Sequence, residues 1–296
     1  MNTSRIVSGF TTLILIVVVF AIVIKLALNK AYAIEHEAEQ INSKKEYTHD
    51  LFVSIVVVPV VIALIFGFLL SFFISKFGIL SAVVVVAVWF PLLYDYYYIL
   101  MKKTSHAYSM DAKLRDKFEK AQGTKTYKIR QIYIVPARGR DVINLWVTGL
   151  THRFLFITEA ALSFLTPPEL KAVVMHEMGH HHYKHTLKFC VLNIVFLSFF
   201  EYFVYSLNQV SWIVALISAI VIYIPYFLLF CAVSRHFEKQ ADTFAANIAG
   251  KEEMINALKK IEMYNKSPKL SKIDALFAFH PSTEKRIAVI REGICK

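Results

Sequence analysis

Long apolar stretches of the chain alternate with stretches in which charge returns. Residues 6–24, 51–75 and 77–94 carry no charged side chain, and residues 189–234 carry only Glu201. The polar break Ser206-Leu207-Asn208-Gln209 divides this last stretch in two. As helices, each of the five resulting segments is long enough to cross a hydrocarbon core of about 30 Å. The pattern therefore predicts a membrane protein of about five spans. A carboxylate inside a span is costly, which makes Glu201 a candidate for substrate passage, a water-filled cavity or protonation. Pro59, Gly67 and Pro225 read as kinks, and the tyrosines at 94–98 as an interfacial belt.

The remaining sequence has a different period. Residues 111–121 are charged and compatible with a helix. Residues 128–135 and 142–149 are rich in Ile, Val and Tyr and read as strands joined through Pro136-Ala137-Arg138-Gly139, with 154–157 as a third. Residues 158–165 form a short helix. Thr166-Pro167-Pro168-Glu169 then combines a cap, a proline at the first helical position and a capping-box glutamate. The helix it starts runs to about residue 185 and can continue into the fourth span. Residues 235–249 and 252–264 are helical, with Gly250 ending the first. The fold class is thus an α-helical membrane protein with an α+β domain. Its divisions are 1–101 (three spans), 102–188 (first part of the domain), 189–233 (a two-span hairpin) and 234–296 (second part).

Composition supports the membrane reading: 56% of the 296 residues are apolar. The net charge of +11 would point to nucleic acid in a soluble protein. Here the charge flanks the spans, with 15 Lys/Arg against 7 Asp/Glu in residues 102–188 and 12 against 8 in residues 234–296. Positive flanks mark the cytoplasmic side, so nucleic acid is not expected as a partner. Counting back through three spans puts the N-terminus outside and residues 25–50 inside. Arg5, the first apolar run and Ala31-Tyr32-Ala33 resemble a secretory signal. The run is longer than a usual signal core, so an uncleaved anchor is expected. Cys190, Cys231 and Cys295 have no metal or redox spacing, and no disulfide framework is expected.

The chemistry concentrates at His176-Glu177-Met178-Gly179-His180. Two histidines four residues apart lie about 40° apart around a helix, so both can reach one metal ion. Glu177 beside them can act as a base on a water without being a ligand, the His-Glu-x-x-His arrangement of zinc peptidases. The best third ligand is Glu238. Asp242, one turn later, can accept a hydrogen bond from a histidine ligand and fix its tautomer. Such Glu-x-x-x-Asp pairs are also common on solvated helix faces.

Three segments in order resemble the HtpX family: the 176–180 helix, Ser234-Arg235-His236-Phe237-Glu238-Lys239-Gln240-Ala241-Asp242, and His280-Pro281-Ser282-Thr283-Glu284-Lys285-Arg286-Ile287. Asn144-Leu145-Trp146-Val147-Thr148-Gly149 is similar to that family's strand motif. The likeness covers about residues 141–287. HtpX proteins are integral-membrane gluzincin peptidases related to the CAAX prenyl proteases of the endoplasmic reticulum. They generally have two N-terminal spans, where three are expected here. The resemblance implies a gluzincin-type α+β domain and one zinc ion per chain, with His176, His180 and Glu238 as ligands. It implies Glu177 as the base and Asp242 behind the ligands. His280 and Arg286 would lie near the site and steady the oxyanion. Residues 142–148 would be an edge strand that aligns an extended substrate. The expected partners are polypeptide substrates, membrane proteins among them, and the lipid bilayer. The expected location is the plasma (inner) membrane of a prokaryote, with the site facing the cytoplasm.

Other histidines are weighed against duller roles. His185 lies about 140° around a continuous helix from His180, off the zinc face, and has a counterpart in some prenyl proteases. His181 and His182 read as solvated or interfacial, and His236 as packing or surface. Two rival functions differ from the main one. An intramembrane site-2 protease would need a later Asn-Pro-Asp-Gly motif, which the chain lacks. A receptor with a structural zinc would fill four positions, whereas three ligands are evident.

Overall fold

The structure is a computed structural model that describes residues 105–123, 129–136, 142–149, 153–208, 211–265 and 278–293, with positions 84, 88, 102, 127 and 276. The first two expected spans, nearly all of the third and the 25–50 loop lie outside the described residues, as does the side chain of Glu201. The chain divides into two compact units. One contains Tyr94–Lys188 with Phe227–Lys296, and the other includes Phe189–Tyr226.

In the first unit the elements run β1 (Tyr108–Ser109), α1 (Ala112–Gln122), β2 (Ile129–Val135), β3 (Leu145–Thr148), β4 (Arg153–Thr158), α2 (Glu159–Phe164) and α3 (Pro167–His182). Then follow α4 (His185–Asn208), α5 (Trp212–Ala249), α6 (Lys251–Tyr264) and α7 (Thr283–Glu292). By chain path α4 leaves this unit and α5 returns to it. The strands form one sheet in the order β1-β2-β4-β3, with β2 and β4 parallel and the other two pairs antiparallel.

The expected third strand therefore sits between the other two, because Arg-Phe-Leu-Phe-Ile-Thr is apolar on both faces and is buried on both. Its Leu155 and Ile157 join Ile132, Ile134 and Leu145 in the main core with α3, α5, α6 and α7. On the opposite face Tyr133, Phe156 and Trp146 stack across three strands, with ring centroids 5.0 and 5.1 Å apart. Strand β3 is left at the sheet edge. It is shorter than expected because residues before it bond elsewhere. Ile143 exchanges two 2.9 Å bonds with the Asn265 side chain, and Asn144 bonds Thr158 through both backbone and hydroxyl. Strand β1 and helix α7 were not expected as elements. β1 is too short to carry a period, and α7 starts within the segment quoted above only as a motif.

Helix α3 starts where the capping signal predicts. Glu169 accepts from the Thr166 backbone N–H at 2.8 Å and from Lys260 at 2.7 Å, tying α3 to α6. The helix does not reach residue 185. Tyr183 and Lys184 bond back to Gly179 and His181 carbonyls, Lys184 takes a left-handed φ of 55°, and α4 begins afresh at His185. Helix α5 is continuous from Trp212 to Ala249, with Pro225 inside it and Gly250 at φ 112° just beyond.

Within the second unit, Phe196 of α4 stacks on Tyr226 of α5 at 3.5 Å. The Tyr226 hydroxyl donates to Asn193 Oδ1 at 2.7 Å, and the Asn193 amide donates to the Phe189 carbonyl. The polar Asn193 is thereby satisfied within apolar sequence. Helices stand where the fourth and fifth spans are expected. Among the described residues no helix is long and apolar enough to cross a membrane, and the count of five stays with the sequence pattern.

Replacing Glu169 by Ala removes a cap and leaves Lys260 without this partner, and should cost about 0.5–2 kcal/mol. Glu169→Gln, which still accepts from Thr166, should cost less. Thermal unfolding of the two variants in detergent checks the order.

Candidate metal centre

Helices α3 and α5 cross at Gly179. A Cβ there would lie 3.1 Å from the Ala241 Cα and 3.3 Å from its carbonyl oxygen, so the missing side chain permits the approach. That approach sets His176 and His180 of α3 against Glu238 and Asp242 of α5. His176 Nε2 and His180 Nε2 are 3.2 Å apart, and lie 3.5 and 3.3 Å from the two oxygens of Glu238. One ligand atom from each of the three residues falls within 4.8 Å of the others.

The outer contacts fix the inner ones. His176 Nδ1 is 2.8 Å from Asp242 Oδ1, and Asp242 is fully buried. Arg286, on α7, donates to both Asp242 oxygens at 2.8 and 2.7 Å, and its Nη2 is 3.6 Å from Glu238. His280 Nδ1 is 2.9 Å from Glu238 Oε2, with 68% of its side chain exposed. Glu177 is half-buried next to His176, and its charge acts on Arg286. The structure thus brings together His176, Glu177, His180, Glu238, Asp242, His280 and Arg286.

The charges are strongly coupled. Burial alone would lower the His176 pKa, but Glu238 and Asp242 hold it raised to about 10. Burial alone would raise Glu238 and Asp242. The His176 charge keeps Glu238 well below the ordinary range, and the Arg286 guanidinium lowers Asp242. Neither His176 Nδ1 nor Glu238 Oε2 has a hydrogen-bond partner of good geometry despite these short approaches. A buried carboxylate whose Oε2 lacks such a partner, and whose two oxygens face the Nε2 atoms of His176 and His180, matches the nitrogen and oxygen donor set of a zinc site.

The other histidines separate. His185 is not off the site: the break at Tyr183 and Lys184 cancels the 140° of a continuous helix and returns its Nδ1 to 3.0 Å from His180 Nδ1. Its Nε2 is 2.9 Å from Gln240 Oε1. Burial first, with smaller charge effects, lowers the His185 pKa to about 4. His181 is half-buried and lowered to about 4, by burial and then by the Arg153 charge. His182 is exposed and packs against Phe244, and His236 is exposed. Sequence reading missed Gln240 and Gly179. A glycine inside the helix that carries His176 and His180 was the available signal for the second.

Gly179→Ala gains up to about 1 kcal/mol of helix propensity but forces a contact with backbone that cannot swing aside. The contact should win, lowering the melting temperature and weakening metal retention in the same variant. Unfolding and metal content after gel filtration measure both.

A profile of peptidase family M48 matches residues 109–294. Protease HtpX of Pseudoalteromonas atlantica is 29% identical over an alignment 178 positions long, gaps included, that covers 51% of this chain and 61% of that protein. A Protease HtpX homolog of Bacteroides fragilis is 26% identical over an alignment 257 positions long that covers 70% of this chain and 78% of that protein. The CAAX prenyl protease 1 homolog of Oryza sativa subsp. japonica is 25% identical over an alignment 204 positions long that covers 62% of this chain and 48% of that protein. Among solved structures, Ste24p of S. mikatae superposes with a TM-score of 0.72 at 17% identity, covering 94% of this chain and 75% of that one. At that identity the likeness is one of fold.

Proposed function

The chain belongs to peptidase family M48, and on that premise we propose that it is a membrane-bound, zinc-dependent endopeptidase acting in quality control of misfolded membrane proteins. The observation that carries the reading is the buried cluster of His176, His180 and Glu238 with Glu177 beside it. His176, His180 and Glu238 are the proposed ligands of one zinc ion, which would polarise the scissile carbonyl and acidify the attacking water.

Glu177 takes the proton of the attacking water and returns it to the leaving amine. Asp242 holds the His176 ring, and Arg286 acts chiefly through Asp242, to which two of its nitrogens are committed. His280 is the exposed member; its Nδ1 lies against Glu238, which leaves its Nε2 to meet the developing oxyanion. Among the described residues β3 pairs with β4 alone, and its outer edge would align an extended substrate by main-chain bonding.

The bilayer attachment rests on the five apolar stretches. The basic flanks support a site on the cytoplasmic side, and the likeness to bacterial HtpX proteases supports the plasma (inner) membrane of a prokaryote. In this arrangement residues 1–101 and 189–233 anchor the two parts of the peptidase domain, 102–188 and 234–296. Cleavage near a prenylated C-terminus is a second reading, supported by the likeness to the rice prenyl protease homolog.

Glu177→Gln should retain zinc and lose cleavage by about 10²–10⁴-fold, the usual share of a general base. The assay is detergent-solubilised protein with an unfolded membrane-protein substrate and a prenylated peptide, each with and without chelator. Full activity of Glu177→Gln sinks the catalytic assignment. Chelator-sensitive cutting confined to the prenylated peptide selects the second reading.

A further inference from the structure

His180 has a supporting pair that the zinc motif does not contain. His185, at the start of α4, is 2% exposed and lies flat on Phe237, with ring centroids 4.1 Å apart and planes 4° from parallel. Its two nitrogens reach in different directions: Nδ1 to His180 Nδ1 at 3.0 Å and Nε2 to Gln240 Oε1 at 2.9 Å. A neutral imidazole has one donor and one acceptor nitrogen, so the direction of one bond fixes the next.

Gln240 presents its oxygen, so His185 donates from Nε2. The Nδ1 of a neutral His185 then accepts, and His180 donates to it from Nδ1. The lone pair of His180 is left on Nε2, the atom that faces His176 Nε2 at 3.2 Å and Glu238 at 3.3 Å. The geometry points to His185 and Gln240 as positioning residues that fix the tautomer and ring plane of His180, leaving its Nε2 free to bind metal. This rests on the zinc reading above.

The direction of the relay matters. Turning the Gln240 amide over would reverse every bond, moving the His180 proton to Nε2, where it would point at Glu238 and close that nitrogen to a metal. The helix break at Lys184 is what makes the relay possible, since only there does the chain turn far enough for His185 to face back toward His180.

The test compares zinc affinity of the full-length chain in detergent, by competition with a chromophoric chelator, and the ring ¹⁵N shifts of His180 in the zinc-loaded protein. His185→Phe keeps the ring against Phe237 and removes both nitrogens. It should weaken zinc binding by about 10–100-fold, the usual effect of losing a partner behind a ligand. His185→Asn, whose side-chain oxygen can stand where Nδ1 stood, should recover most of that loss. Gln240→Leu should weaken binding while Gln240→Glu, which keeps an acceptor, should not. The wild-type His180 ring should show its proton on Nδ1. Equal zinc affinity of His185→Phe and wild type overturns the inference, as does a His180 proton on Nε2. If His185→Phe fails to fold, equal affinities of Gln240→Leu and Gln240→Glu overturn it. A wild-type chain that holds no zinc overturns the functional reading, and this inference with it.

Discussion

Two carboxylates buried one helical turn apart, Glu238 and Asp242, set the terms for everything around them. Taking each out of water costs several kcal/mol unless cations and donors replace the lost hydration. The replacements come from three separate parts of the chain: His176 and His180 from α3, Arg286 from α7 and His280 from the segment before it. None of these partners can be supplied locally by α5. The domain must therefore fold as a whole before either carboxylate is tolerable, which ties site assembly to overall stability.

The packing answers the same demand. Gly179 lets α3 approach α5 to backbone contact, and the Glu169–Lys260 pair ties α3 to α6. Behind α3, Val174, Met175 and Met178 sit in the core that includes Leu155 and Ile157 of the sheet. Helix α3 is thus fixed by apolar contacts on one side and by charge on the other. Strand β3 hangs from the same core, and Ile143 is bound to Asn265 across 122 residues of sequence.

Features written in local sequence were legible. The start of α3 follows from Thr166-Pro167-Pro168-Glu169, the shared face of His176 and His180 from their spacing, and the end of α5 from Gly250. Features that depend on distant partners were not. The run around Phe154 is apolar on both faces, but that it inserts between the other two strands emerges only when the faces of all three are compared. The break at Tyr183 and Lys184 was hidden because both residues are compatible with a helix. With the helix read as continuous, His185 pointed away from the site. Gln240 was hidden for a related reason: its role appears only once His185 is turned toward it.

The two histidines of the zinc motif are supported in different currencies. His176 is backed by an anion, Asp242, whose charge is in turn held by Arg286. His180 is backed by a neutral pair, His185 and Gln240. A second carboxylate behind His180 would have added another buried negative charge, at the cost already borne twice on α5. A neutral relay orients the ring equally well without that charge. It also leaves the site less electron-rich, since a carboxylate behind a ligand raises its basicity more than an imidazole does. A zinc held by one anion-backed and one neutrally backed histidine would stay the stronger Lewis acid, which is what polarising an amide carbonyl demands.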